Sequence, residues 1–519
     1  MYQFSKTLCL VAITATTAFH SSFSENSPEQ KNLLAGSNRS ISSSIKGKSS
    51  PWGKTTSFKT DGKHKISLRA EFIVDQPSEF VALAIKKSHA INDITLNGSP
   101  VKAPFDGMNY RLIPGIPISM LKAGTNQLEL TWYTNVKTKK NKETARISFS
   151  PAQLSASDSN IELIALKAED LAFQTGPVLG YAGEKFFTVT CRLNIPAEVV
   201  LEVAKHKYTS APALLHSFKV DKLSADTPYE YRMTASIGSK ASTTVGPYTV
   251  NTLPKGDNFK FAILGDSRTH PKDWKKVAAA VVTAKPAFSI FVGDMVTNGR
   301  NDNEWDEQFC SPAKEYLATI PFYGIIGNHE GNCPLFPLLF KTPQDDKNWS
   351  QQVGPVLLIG IDGEMDWSSD GELVKWLEDL LAESKAKYIF LASHYPPWTS
   401  SGHGRLNDQG RPRERPILQG QDVIMPLLKK YSATAMFAGH DHTYERSEPT
   451  DGVTMIITGG AGAPLRKKSK NAAKQNPHSK VFASKLHYCI LTVNKDTCSM
   501  EAIDLNGKTI DSKIWSARK

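Results

Sequence analysis

The sequence predicts a multidomain chain, with two β-sandwiches in its first half and an α/β domain in its second. Three observations predict it. The chain has 519 residues, more than one hydrophobic core serves. The stretches 58–150 and 160–253 alternate apolar and polar residues with a period of two, punctuated by turn residues. From Phe259 onward, short apolar runs alternate with segments of helical period.

Composition is that of an ordinary globular protein, with 40% hydrophobic and 22% charged residues. The formal net charge of +11 favours acidic partners, but the basic residues are scattered apart from loops such as 137–142 and 466–470. No pattern of stacking aromatics accompanies them, so no nucleic-acid partner is expected. The N-terminus reads as a secretory signal over residues 1–24: Lys6, a short apolar run from Leu8 to Ala18, then Ser22-Phe-Ser24 with the spacing of a cleavage site. That run is too short to span a bilayer, and no later segment is long enough, so the expectation is an exported protein, secreted or periplasmic, with no membrane span. One of the 6 cysteines falls in the signal, and the remaining odd number cannot all pair within the chain. Cys489 and Cys498 flank a predicted hairpin turn and could face each other; Cys310 and Cys333 could also meet.

Residues 25–57 are rich in Ser, Lys, Asn and Gly without a hydrophobic period and read as a flexible leader. In 58–150, His64-Lys-Ile-Ser-Leu-Arg-Ala, Phe80-Val-Ala-Leu-Ala-Ile and Gln127-Leu-Glu-Leu-Thr-Trp read as strands, with a turn at Leu96-Asn-Gly-Ser. Ile94-Thr-Leu-Asn-Gly taken with Leu121-Lys-Ala-Gly-Thr-Asn-Gln-Leu resembles galactose-binding-like jelly-roll domains. Carbohydrate or surface attachment is what that resemblance implies; a structural spacer is the preferred reading. In 160–253, the run from Phe218 to Arg232 resembles the late strands of a fibronectin type III-like domain. Pro254-Lys-Gly-Asp marks the boundary of a last domain over 258–519. In it, strands at Phe259–Leu264, Phe288–Val292, Phe322–Ile326, Val356–Ile361 and Tyr388–Ala392 alternate with helices at Asp273–Lys285 and Glu372–Glu383.

Polar residues follow these strands directly: Ile263-Leu-Gly-Asp266, Phe291-Val-Gly-Asp294, Ile325-Ile-Gly-Asn328-His329-Glu330, Ala392-Ser-His394 and Met436-Phe-Ala-Gly-His440-Asp-His442. In open α/β sheets the carboxyl ends of strands line the ligand crevice. Five segments thus deliver Asp, Asp, Asn-His, His and His-x-His to one rim. Carboxylate, carboxamide and imidazole suit Fe, Mn or Zn. Two such ions about 3.5–4 Å apart can bind a phosphoryl group and acidify a water, and one carboxylate must bridge them. A glycine before a ligand lets the backbone turn sharply at the strand end. Singly each residue is an ordinary turn or core residue; as an ordered set they are not.

The set resembles the motif series of calcineurin-like metallophosphoesterases. Gly439-His-Asp-His-Thr-Tyr-Glu-Arg446 and His394-Tyr-Pro-Pro resemble the purple acid phosphatase branch, in which a fibronectin type III-like domain precedes the catalytic one. The resemblance covers about 160–510 and implies a β-sandwich flanked by helices. It implies that Asp266 and His442 bind a first metal, that Asp294 bridges, and that Asn328, His394 and His440 bind the second. His329 would contact the phosphate and help protonate the leaving group. The implied reaction is hydrolysis of phosphate monoesters, with diesters as a second class, by direct attack of a metal-bound hydroxide.

Two positions depart from the pattern. Members place Gly or His two residues after the first Asp, where this chain has Arg268, and a Tyr three residues after the bridging Asp, where it has Thr297. A guanidinium offers no lone pair, so Arg268 is not a ligand; it either clamps a phosphate oxygen or lies in a solvated loop. Without the tyrosinate no purple colour is expected, and the first ion lacks a ligand that water, Thr297 or Asn298 could supply. His270 reads as a loop residue. His403, in a Gly- and Ser-rich loop, either closes over the substrate or sits in an exposed turn. The competing function is a glycan- or surface-binding protein with a degraded, inactive site, which Arg268 and Thr297 favour and the complete second-metal set opposes.

Overall fold

The computed structural model describes residues 161–449 and 453–518 and, before them, 38–43, 50–51, 57–58, 62–74, 80–85, 93–101, 108, 112–136 and 145–146. The expected signal at 1–24 lies outside the described residues. No helix among the described residues is long and apolar enough to cross a membrane.

The N-terminal part holds two main antiparallel sheets. The larger is built on Gly62–Val74 paired with Gly124–Val136 over thirteen positions, and Asp93–Leu96 lies on the other edge of the latter strand. The smaller orders Ile161–Leu166, Phe80–Ile85 and Leu112–Pro117. Ala70, Phe72, Val74, Leu128 and Leu130 from the larger sheet share one buried cluster with Val81, Leu83 and Ile116 from the smaller. The period of two thus faces inward as the alternation requires. The Asn97-Gly98 turn forms as expected, both residues at positive φ, a shape that an Asn-Gly pair adopts at little strain. The two segments that carried the jelly-roll resemblance meet: Leu96 pairs with Leu128, and Asn97 Nδ2 donates to Asn126 Oδ1 at 2.7 Å.

Two sequence expectations need correction here. Part of the supposed leader is a strand: Asn38–Ser43 pairs antiparallel with Ile66–Glu71. Sheet ladders are made by main-chain groups, so a polar strand without hydrophobic period still forms one. The strand that opens 160–253, Ile161–Leu166, hydrogen-bonds to Phe80–Ile85 in the preceding stretch. From Phe173 to Asn251 a separate five-stranded antiparallel sheet follows, centred on Phe186–Val203.

The last domain is a sandwich of two sheets. One orders Phe322–Gly324, Ser289–Phe291, Asn258–Leu264, His487–Asn494, Thr497–Asp504 and Thr509–Ser516; the other has seven strands with Val356–Gly360, Tyr388–Ala392, Ala435–Ala438 and Thr454–Thr458 parallel in its middle. Alternation explains the layers. Phe261, Ile263 and Ile290 of the first sheet share a buried cluster with Val356, Leu358, Phe390 and Phe437 of the second. Their neighbours Ala262, Leu264 and Phe291 point outward onto Trp274, Val277 and Val281 of helix Pro271–Ala284. Likewise Leu357, Ile359 and Leu391 pack on Leu373, Leu377 and Leu381 of helix Glu372–Glu383. The predicted β-sandwich flanked by helices is therefore observed.

The five described cysteines are all free and buried. Cys489 and Cys498 lie on adjacent strands, but Cys489 pairs with Ala502 and Cys498 with Val493, so they are out of register. Cys333 Sγ sits 3.6 Å from Met108 Sδ, a contact between the last domain and the N-terminal part.

Candidate metal centre

The predicted residues converge where the central parallel strands end. Asp266, Asp294 and His440 each take positive φ, at 62°, 58° and 69°, directly after their strands. Non-glycine residues adopt this region at a cost that surrounding contacts must offset. Those contacts are visible: His440 N–H donates to Asp266 Oδ1 at 3.0 Å, and Ser267 N–H to the Asp294 carbonyl at 3.0 Å. The preceding glycines act mainly through close approach. A Cβ on Gly265, Gly327 or Gly439 would lie 2.4, 2.5 or 2.2 Å from Val292, Asp294 Oδ1 or Asp266 Oδ2 respectively. Only Gly293 among them has left-handed φ, so the sharp-turn explanation holds for that position alone.

The site has two corners that share Asp294. In the first, hydrogen-bond partners fix the imidazole tautomers. His394 Nδ1 lies 2.8 Å from the Val292 carbonyl and so carries the proton, leaving a lone pair on Nε2. His440 Nε2 lies 2.8 Å from Glu414 Oε2 and donates to it, leaving a lone pair on Nδ1. These two lone-pair nitrogens face each other at 3.2 Å, and each lies 3.1 Å from Asn328 Oδ1. Asp294 Oδ1 is 3.2 Å from His394 Nε2. Four acceptor atoms thus converge with no proton between them. Donors bonded at about 2.0–2.2 Å to one ion sit roughly 3 Å apart, so this corner fits a metal ion. His394 and His440 are buried, whereas Asn328 is exposed and forms the mouth.

In the other corner Arg268 stands against Asp294 and His442, while ligand atoms of Asp266, Asp294 and His394 lie within 4.8 Å of one another. His442 Nδ1–H donates to the Pro464 carbonyl at 2.8 Å, which turns the Nε2 lone pair inward. That lone pair lies 3.4 Å from Arg268 Nη2, and Arg268 Nε donates to Asp294 Oδ2 at 3.3 Å. Asp266 Oδ1 lies 3.6 Å from His442 Nε2. Arg268 is thus neither a ligand nor an outward loop residue. Thr297 and Asn298 are turned away: Thr297 Oγ1 donates to Gln308 Oε1 at 3.0 Å, and Asn298 Oδ1 accepts from Arg300 N–H at 3.1 Å. His270 is exposed at the start of helix Pro271–Ala284.

Charge at the site follows burial. Burial pushes Asp266 well above the usual carboxylate range, helped by Asp294. Burial also raises Asp294, but His394, His329, His440 and Arg268 together bring it below its ordinary value. Burial lowers His440 to about 4 and His442 to about 3, so both imidazoles are neutral near pH 7, the form that binds metal. His329 lies beside both corners, its Nδ1–H donating to the Thr297 carbonyl at 2.6 Å and its Nε2 3.8 Å from Asp294 Oδ2. His403 is not in the metal corner. Its Nδ1 lies 2.7 Å from Glu414 Oε1, and its ring packs on His440 with centroids 3.9 Å apart.

Sequence reasoning missed Glu414. It is in the loop after His403, follows no strand, and is brought to His440 only by the fold. Burial raises its carboxyl, yet the hydrogen bonds from His403 and His440 hold it down at about 2. A carboxylate on the far nitrogen of a ligand histidine fixes its tautomer and raises its basicity. Glu414→Gln keeps an acceptor for His440 but removes the charge. Metal binding is expected to weaken about 10- to 100-fold, measured by competition with a chelator; unchanged affinity would show that Glu414 serves His403 alone. Glu330, quoted in the motif but given no role, also matters: its carboxylate accepts from the main chain of Gly327, Asp294, Met295 and Val296. The free Asn-His-Glu spacing in the sequence was the available signal.

Known proteins resemble this chain as follows. Residues 259–444 match the calcineurin-like phosphoesterase family model. Tartrate-resistant acid phosphatase type 5 of Homo sapiens is 26% identical over 219 residues, 36% of this chain and 64% of that protein. Purple acid phosphatase 23 of Arabidopsis thaliana is 25% identical over 284 residues, 50% of this chain and 58% of that protein. The chain therefore spans less than two thirds of the length of these relatives. The solved structure of a purple acid phosphatase from Lupinus luteus superposes with a TM-score of 0.59 at 15% identity, covering 92% of this chain and 96% of that one, a likeness of fold. Residues 259–444 thus match the calcineurin-like phosphoesterase model, and the chain is similar to the purple acid phosphatases.

Proposed function

We propose that this protein is an exported, metal-dependent phosphoric ester hydrolase that acts on phosphate monoesters, with diesters as its second class. The observation that carries the reading is the convergence of four lone-pair donors, from Asp294, Asn328, His394 and His440, at one exposed mouth. Those residues would hold the ion, and their mixed oxygen and nitrogen donors suit Fe, Mn or Zn. A metal bound there supplies Lewis-acid polarisation of a phosphoryl oxygen and a water of lowered pKa.

The chain's own residues do the rest. His329 has its Nδ1–H held by the Thr297 carbonyl and so presents Nε2 to the mouth; in its doubly protonated form it would pass the Nε2 proton to the leaving oxygen. Glu414 holds His440 in the tautomer that offers Nδ1. Arg268 contributes positive charge beside Asp294. His403 packs its ring on that of His440. Export is proposed from Lys6, the apolar run Leu8 to Ala18 and Ser22-Phe-Ser24. The N-terminal sandwich is proposed as a spacer rather than a carbohydrate-binding module, supported by the Met108–Cys333 contact that ties it to the last domain. The alternative of a decayed, purely binding protein is opposed by the complete donor set of the first-described corner.

The test is hydrolysis of a chromogenic phosphomonoester and a phosphodiester by protein stripped of metal and then reloaded with Mn, Fe or Zn. Stripping is expected to abolish turnover and one of these metals to restore it, faster on the monoester. A folded protein that turns over neither ester with any of them overturns the reading.

A further inference from the structure

We propose that the Arg268 guanidinium takes the place of one of the two metal ions, so that the chain binds a single ion, between Asp294 Oδ1, Asn328, His394 and His440. The inference rests on the metal-centre reading above and sharpens it. Its basis is that the two corners differ in what meets their lone pairs. Around His394 Nε2 and His440 Nδ1 no donor is present among the described residues, because both rings have committed their protons elsewhere. Around His442 Nε2 and Asp294 Oδ2 the donors are the Nη2 and Nε groups of one guanidinium, at 3.4 and 3.3 Å.

Three further facts support the substitution. First, the planar fork of Arg carries fixed positive charge and presents N–H groups along one edge, so a single residue reaches a carboxylate and an imidazole together. Second, the corner needs a cation. Asp294 is 1% exposed, and a buried carboxylate without a positive partner is costly. The Arg268 side chain, 16% exposed, supplies that charge from within the chain. Third, the two side chains expected to complete the first ion's shell are engaged elsewhere. Thr297 Oγ1 and Asn298 Oδ1, at the positions that could have supplied a ligand, are bonded to Gln308 and Arg300. An ion bonded at about 2.0–2.2 Å to Asp294 Oδ2 and His442 Nε2 would occupy the space of the guanidinium nitrogens and meet their charge. Asp294 still bridges, with one oxygen toward the ion and the other toward Arg268.

The experiment is metal content by elemental analysis after stripping, reloading with excess Mn(II) and removal of free ion, with the Mn(II) EPR signal recorded on the same samples. Wild type is expected to hold one ion per chain, with a spectrum free of exchange coupling. Arg268→Ala frees Asp266, Asp294 and His442 and is expected to hold two, with coupling. Two ions in wild type, or one in a folded Arg268→Ala, overturns the inference. None in wild type overturns the metal-centre reading itself, and this inference with it. Should Arg268→Ala not fold, two variants in the wild-type background decide: His442→Ala is expected to retain the single ion and Asn328→Ala to lose it, and the reverse pattern overturns the inference.

Discussion

Asp294→Asn is expected to lower kcat/KM on a phosphomonoester on the order of 1000-fold, about 4 kcal/mol of transition-state stabilisation. The size follows from what one carboxylate does. Its Oδ1 faces His394 at 3.2 Å and accepts from His329 N–H at 3.2 Å; its Oδ2 faces Arg268 at 3.3 Å. Asparagine is isosteric, so packing survives, but it removes the charge that faces Arg268 and would hold the ion, and it puts an amide donor against one of the two. The loss is therefore expected in metal retention and turnover together, with near-native circular dichroism. Steady-state kinetics at saturating metal give the check. A variant that keeps wild-type kcat once metal is supplied would move the reaction away from this carboxylate.

Glu330→Ala is expected to cost on the order of 4 kcal/mol or more of folding stability. Glu330 is buried, and its Oε2 accepts from Asp294 and Gly327 N–H at 2.8 and 2.9 Å, while Oε1 accepts from Met295 and Val296 at 2.8 and 3.3 Å. Truncation leaves four main-chain donors facing a void, and each unsatisfied buried donor costs about 1–3 kcal/mol before relaxation or water entry. The two loops it ties together carry Asp294 and Asn328, so metal binding should fall with stability. Glu330→Gln retains one acceptor oxygen and should lie between. Urea unfolding of the metal-free proteins measures the effect without linkage to metal; a change under about 1 kcal/mol would mean that water replaces the carboxylate.

Much of this was legible because the fold writes its site at strand ends. Ile263-Leu-Gly-Asp266 and its counterparts put apolar strands directly against ligands, and alternation within Phe259–Leu264 encodes which residues face the partner sheet and which face the helix. The helix at Glu372–Glu383 was readable to the residue from its apolar spacing. The unread parts depend on long-range geometry. Glu414 reaches His440 from 26 positions away in a loop with no period. The pairing of Asn38–Ser43 rests on main-chain groups, which side-chain patterns do not report. Arg268 was read as a non-ligand from its lack of a lone pair, but its partners, Asp294 and His442, are 26 and 174 positions distant. Cysteine proximity at a hairpin failed for a related reason: register, not closeness in sequence, decides which side chains face each other.

The most direct measurement is an anomalous difference map from crystals of the protein grown with Mn(II) or Zn(II), recorded at the metal edge. A metal peak bounded by Asp294 Oδ1, Asn328 Oδ1, His394 Nε2 and His440 Nδ1 is the predicted result. A map in which that corner stays empty at saturating metal, with the same side chains in place, would contradict the assignment of this site as a metal centre.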